Sequence, residues 1–144
     1  MGRVGDPALG LRFKVTIDGH LELGNWQKCD GLQIEYDIHE YREGGMNAYV
    51  HQLPGRAKYQ NIKLTRPIDS TSVMVAAWVA SVQLRLVRGT ARVAVLDPAG
   101  DTVATWNLID VFPARWTGPN LDVSGNQVAS ETLELIHNGF LGPR

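Results

Sequence analysis

Phe13, Val15 and Ile17 alternate with Arg12, Lys14 and Thr16, the period of two that marks a strand with one face buried, and Asp18-Gly19 supplies a turn to close it. A cleaner alternation follows. Leu32, Ile34, Tyr36 and Ile38 interleave with Gln33, Glu35, Asp37 and His39, leaving one face apolar and the other polar, which predicts a long antiparallel-type strand. From Arg42 to Arg56 the pattern dissolves, with Gly44-Gly45 at one end and Pro54-Gly55 at the other, and predicts a long loop or an extended hairpin arm. Alternation resumes from Lys58 to Arg66, where Ile62 and Leu64 mark the buried face of a second long strand, antiparallel to the first and stopped by Pro67.

Asp69, Ser70, Thr71 and Ser72 place several capping oxygens ahead of an apolar run, predicting one helix over about 72 to 85. Val73, Ala76, Ala77, Ala80 and Leu84 form one stripe, yet Val75, Trp78, Val79 and Val82 lie on other faces. A helix apolar nearly all round requires two burial partners. Ala91 to Leu96 and Thr102 to Ile109 flank Asp97-Pro98-Ala99-Gly100-Asp101 and read as a hairpin. After interruptions at Pro113 and Gly118-Pro119, Val128 to Ile136 forms the last strand, in which Glu131 shares a face with Ala129, Leu133 and Leu135. An unpaired carboxylate on that face would be costly, so Glu131 is expected to pair with an Arg or Lys or to be hydrogen-bonded at a subunit boundary. Six or seven strands and one helix without βα alternation predict a mainly β fold, an antiparallel sandwich or barrel.

The length of 144 residues fits a single domain spanning 1–144 that needs no staple. A net charge of −1 removes the attraction that dominates nucleic-acid affinity, so no direct sequence-specific nucleic-acid binding is expected. The longest apolar run is too short for a membrane anchor, and the first eleven residues lack the apolar stretch of a secretory signal, which suits a chain made in the cytoplasm. One cysteine, Cys29, permits no intramolecular disulfide. His20, His39, His51 and His137 fall on four segments with no metal-binding spacing, and no nucleophile elbow or phosphate loop occurs. The chain is therefore read as no enzyme, with no cofactor and no metal. Trp26, Trp78, Trp106 and Trp116 keep a second possibility open, a monomeric β-sandwich ligand-binding module, although core or interface aromatics explain them as well.

The segment Trp106 to Phe140, WNLIDVFPARWTGPNLDVSGNQVASETLELIHNGF, resembles the C-terminal third of tail-tube proteins from contractile-tailed phages and extracellular contractile injection systems. EYREGGMNAYVHQLPGR at 40–56, KYQNIKL at 58–64, IDG at 17–19 and RVAVLDPAG at 92–100 extend the similarity over nearly the whole chain. The resemblance implies two packed antiparallel sheets with one flanking helix, similar also to the ring protein of type VI secretion. It further implies six-membered rings of self-association, stacked into a tube inside a sheath protein, with baseplate, spike and tube-terminating proteins as partners and cargo protein or DNA in the lumen. Assembly in the bacterial cytoplasm would precede incorporation into a phage tail or injection particle. On this reading the segment 43–55 is an arm reaching the next ring, and the expected contacts between subunits or rings are Tyr41, Arg42, Glu43, Gly44, Gly45, Asn47, Leu53, Pro54, Gly55, Arg56, Trp78, Trp116 and Glu131.

Overall fold

The computed structural model describes residues 10–19, 21–41, 51–84, 89–120 and 129–141. Ten strands and one helix follow in chain order: β1 (Arg12–Ile17), β2 (Leu21–Trp26), β3 (Lys28–Asp30), β4 (Ile34–Tyr41), β5 (His51–Tyr59), β6 (Ile62–Pro67), α1 (Ser72–Ser81), β7 (Gly89–Leu96), β8 (Thr102–Thr117), β9 (Ser130–Ile136) and β10 (Phe140–Leu141). The fold is mainly β, as the alternation predicts.

Eight strands form one hydrogen-bonded path in the order β2-β1-β7-β8-β9-β6-β3, with β10 added on β8. All pairings along it are antiparallel. The 16-residue β8 turns this path into two layers. Up to Val111 it pairs with β7, and from Phe112 it pairs with β9, so a single strand leaves one sheet and enters the other. Asp110 sits at the corner with φ 52, the left-handed conformation that Asp tolerates better than most residues. The two ends of the path, β2 and β3, are separated in sequence only by Gln27, whose N–H donates to the Thr65 carbonyl at 3.1 Å. Between the layers lie Val15, Leu23, Trp26, Ile62, Leu64, Val93, Leu108, Leu133 and Leu135, each fully buried, with Val75 of α1 closing the side.

The structure differs from the expectations at five points. Lys58 to Arg66 is two strands, because the chain leaves the β4–β5 hairpin at Gln60-Asn61 and re-enters the main sheet as β6 between β3 and β9. Pro113 does not interrupt β8: the register shifts between Pro113 and Arg115, and a bulge is where a strand tolerates a residue without an N–H. Strands β2 and β3, which carry little alternation around Gly24 and Gln27, were not expected. Gly24 has φ 85 and a Cβ there would collide with the Arg66 guanidinium, so β2 gives up a side chain to admit that group. The helix ends at Ser81, with a turn through Leu84. Its capping oxygens are used differently from expectation: Thr71 makes no side-chain cap, while the Asp69 carboxylate accepts from the Thr71 N–H at 2.8 Å and hydroxyl at 2.6 Å.

Candidate assembly interface

Glu131 is 1% exposed and its partners all lie within the chain. Its Oε2 accepts from Arg66 Nε at 3.3 Å and from the Ser72 hydroxyl, and its Oε1 accepts from Trp116 Nε1 at 3.1 Å. Arg66, 2% exposed, also donates from Nη1 to the Leu23 carbonyl at 2.9 Å and lies with its guanidinium carbon 4.0 Å from the centre of the Trp26 ring. Asp69 reaches the same Nη1 at 3.3 Å. Partial burial pushes the Asp69 carboxyl upward, but hydrogen bonds from Thr71 and the charge of Arg66 outweigh it and leave its pKa below the usual value. This network joins β2, β6, β8, β9 and α1. Glu131 is thus paired with an arginine of its own chain, the first of the two arrangements expected for it.

The β4–β5 hairpin is the opposite case. Its two strands pair with each other, Ile34 with Tyr59 through Tyr41 with His51, and with no other strand among the described residues. The apolar face expected to be buried is open: Ile34 is 43% exposed, Tyr36 47% and Ile38 58%, while Leu53, 50% exposed, stands opposite His39 on the other face of the ribbon. A lone two-stranded ribbon is marginally stable in water, and an open apolar face on it is unusual for a monomer. Its polar side is held by Lys58 and Asp37 at 2.8 Å, and that hydrogen bond raises the Lys58 pKa. Gly55 is required there because a Cβ would strike the His39 ring. The hairpin base rests on the body through Tyr59, whose ring centre is 5.3 Å from that of His137 and 5.7 Å from that of Phe140.

Of the other expected contacts, Pro54 and Arg56 are exposed on β5, and Gly55 is half-buried between them. Tyr41 ends β4, paired with His51. Arg42, Glu43, Gly44, Gly45 and Asn47 lie outside the described residues. Trp78 and Trp116 are half-buried against the core. Helix α1 carries no charged residue, and Val73 at 80% exposure with Leu84 just beyond at 90% shows that its second apolar face is uncovered within the chain. Among the described residues no group of three His, Cys, Asp or Glu is placed to hold a metal.

What sequence reasoning missed is the outer face of the β3-β6-β9-β8 sheet. Across it, Asp30 stands opposite Lys63, Lys63 opposite Glu134, and Glu134 opposite Arg115. The neighbouring row is Lys28, Thr65, Thr132 and Thr117. The alternation of each strand implies the outward residues, but only the register shows that their charges alternate.

Residues 10–141 match the family model described as T4-like virus tail tube protein gp19. No curated protein matches the chain. Among solved structures, a chain of an extracellular contractile injection system, the PVC sheath-tube complex in its extended state, is 27% identical over 96% of this chain and 92% of its own, with a TM-score of 0.77. A chain from the cap of the anti-feeding prophage, a tube-terminating cap, is 26% identical over 98% and 93%, with a TM-score of 0.76. A type six secretion system protein shares the fold at 14% identity, 93% coverage of both chains and a TM-score of 0.53.

Proposed function

This chain belongs to the T4-like virus tail tube protein family, and from that membership we propose that six copies close into a ring and that rings stack into a hollow tube. Its role is that of a tube subunit. The observation that carries the assembly is the unpartnered apolar hairpin, joined to a family of tube proteins: a monomer that exposes Ile34, Tyr36, Ile38 and Leu53 on a ribbon without sheet neighbours is completed by copies of itself. We assign the segment 43–55, together with the β4–β5 hairpin, to the contact between rings.

The partners proposed for the tube are a surrounding sheath, a baseplate at one end and a tube-terminating protein at the other, supported by the complexes in which its structural relatives occur. Sheath contraction would supply the work and the lumen would pass protein or DNA, so the subunit needs no chemistry of its own. Assembly would take place in the bacterial cytoplasm before the tube becomes part of a phage tail or an extracellular particle. A monomeric ligand-binding module is not favoured, since the cleft of about 240 Å³ over Lys14, Thr16, Arg92 and Thr102 is open and polar rather than the apolar hollow such modules use. Sedimentation of the concentrated protein decides between them: long polymers are expected, and a single 15.9 kDa species at every concentration would refute the assembly.

A further inference from the structure

The β4–β5 hairpin has no sheet neighbour among the described residues, so its hold on the body is made at its root. On one side of the root, Gly31 lies so close to the Asn61 carbonyl that a Cβ could not be placed between them, and Leu32 packs against the core. On the other side Tyr59, the last residue of β5, closes a cluster of rings with His137 and Phe140. Their centres are 5.3 Å apart for Tyr59 and His137, 5.7 Å for Tyr59 and Phe140, and 5.3 Å for His137 and Phe140. Gly139 completes the cluster: its φ of 146 favours glycine, and a Cβ there would stand 3.3 Å from the Tyr59 hydroxyl. The bend is pinned to β8 by the Asn138 N–H, which donates to the Ile109 carbonyl at 2.9 Å, and by the Ile109 N–H, which donates to the Gly139 carbonyl at 3.0 Å. The hairpin thus leans on a fixed bend with a buried histidine at its centre.

That site suits only the neutral imidazole. Nδ1 accepts from the Gly139 N–H at 3.2 Å, so the neutral ring carries its proton on Nε2. Nε2 is buried without a hydrogen-bond partner among the described residues, and the Gln60 backbone favours a proton there without closing a bond. A second proton would go to Nδ1 and set two donors against each other at Gly139. It would also place a charge on a residue that is 5% exposed. The Tyr59 and Phe140 rings attract a cation, yet neither supplies the acceptors that the two N–H groups of an imidazolium need. Nor do the groups packed around it. β5 brings the Tyr59 phenol, β10 brings Phe140, and β8 brings Asp110, whose carboxylate accepts from the Asn138 amide at 3.4 Å. Burial, rather than a charged neighbour, dominates the titration of His137.

We propose that His137 is a proton-operated latch at the hairpin root: protonation expels the imidazole from beside Gly139, unseats Tyr59 and frees the β4–β5 hairpin from the body, so that contact between rings is lost in mildly acidic medium. This rests on the assignment of the hairpin to the contact between rings. The closed latch belongs to the neutral ring, so it holds above the ordinary imidazole value near about 6.5 and is released as pH falls from there towards the lower value of the closed site.

Hydrogen exchange read by mass spectrometry, beside pelleting of polymer, tests it on the full chain at about pH 7.5 and about pH 5, either side of the imidazole range. After correction for intrinsic exchange, peptides covering Leu53 to Tyr59 and His137 to Leu141 should exchange about tenfold faster at the acid pH, while a β7 peptide stays unchanged and the pelleted fraction falls. His137→Gln should keep both segments and the polymer the same at the two pH values. His137→Phe, which fills the site without a titrating nitrogen, gives the same readout should the amide variant not fold. Unchanged exchange in the wild type, or the same acceleration in wild type and variants, would overturn the latch. Acceleration in the wild type alone with polymer intact would overturn the hairpin's place in the ring contact and with it the proposed release. Failure of the wild type to polymerise at the neutral pH would overturn the tube reading itself.

Discussion

Arg66 and Glu131 are both nearly inaccessible, and each holds the other's charge in a site that water does not reach. Arg66→Met leaves the buried Glu131 carboxylate without its cation and should lower unfolding free energy by about 3–5 kcal/mol. Glu131→Leu leaves Arg66 still paired with Asp69 and should cost less, and the double variant should recover part of the loss seen in Arg66→Met, as chemical denaturation of the unassembled chain will read. Stability unchanged in either single variant would contradict the network. Alternation placed Glu131 on an apolar face and so required a partner, but it could not show that the partner was Arg66, 65 residues away on β6. Only the pairing of Arg66 with Glu131 in the β6–β9 register makes them neighbours.

His137 gives a pH dependence at the same scale. It is 5% exposed, and its Nδ1 accepts from the Gly139 N–H at 3.2 Å. Burial lowers its pKa in the folded chain, opposed in part by its hydrogen bonds. The unfolded chain then binds the proton more tightly, so His137 contributes stability above the unfolded value near about 6.5 that is lost as pH falls from there towards the depressed folded value. Thermal unfolding between neutral and mildly acidic pH should show a decline that His137→Gln flattens, and an identical decline in both proteins would assign it elsewhere.

Elements were legible where one face of a strand meets the chain's own core, as in β1, β7 and β9, and the helix was legible from its apolar run. The strongest alternation in the sequence, Leu32 to His39, misleads about what covers it. Its pattern reports burial but not by whom, and in β4 Ile34, Tyr36 and Ile38 stand exposed. Strands β2 and β3 escaped notice because Gly24 and Gln27 interrupt them, and β8 read as shorter than it is because a proline inside a bulge looks like a stop. If the hairpin face belongs to assembly, Ile38→Glu should change the stability of the isolated subunit by no more than about 0.5 kcal/mol, as for other exposed positions, and abolish polymer. Normal polymer from this variant, checked by pelleting with circular dichroism as the folding control, would remove the hairpin from the interface.

At the scale of the molecule the same residues divide into two groups. The Arg66–Glu131 network and the apolar layer hold the body of the subunit together, while the hairpin and one face of α1 keep apolar side chains exposed. Family and fold were legible from ordered segments along the whole chain, since long-range order in a sequence survives where no single motif is diagnostic. Cryo-electron microscopy of the polymer bears most directly on whether the subunit builds a tube: the expected map is a hollow tube of six-membered rings, and a solid filament, or a protein that remains monomeric at high concentration, would contradict it.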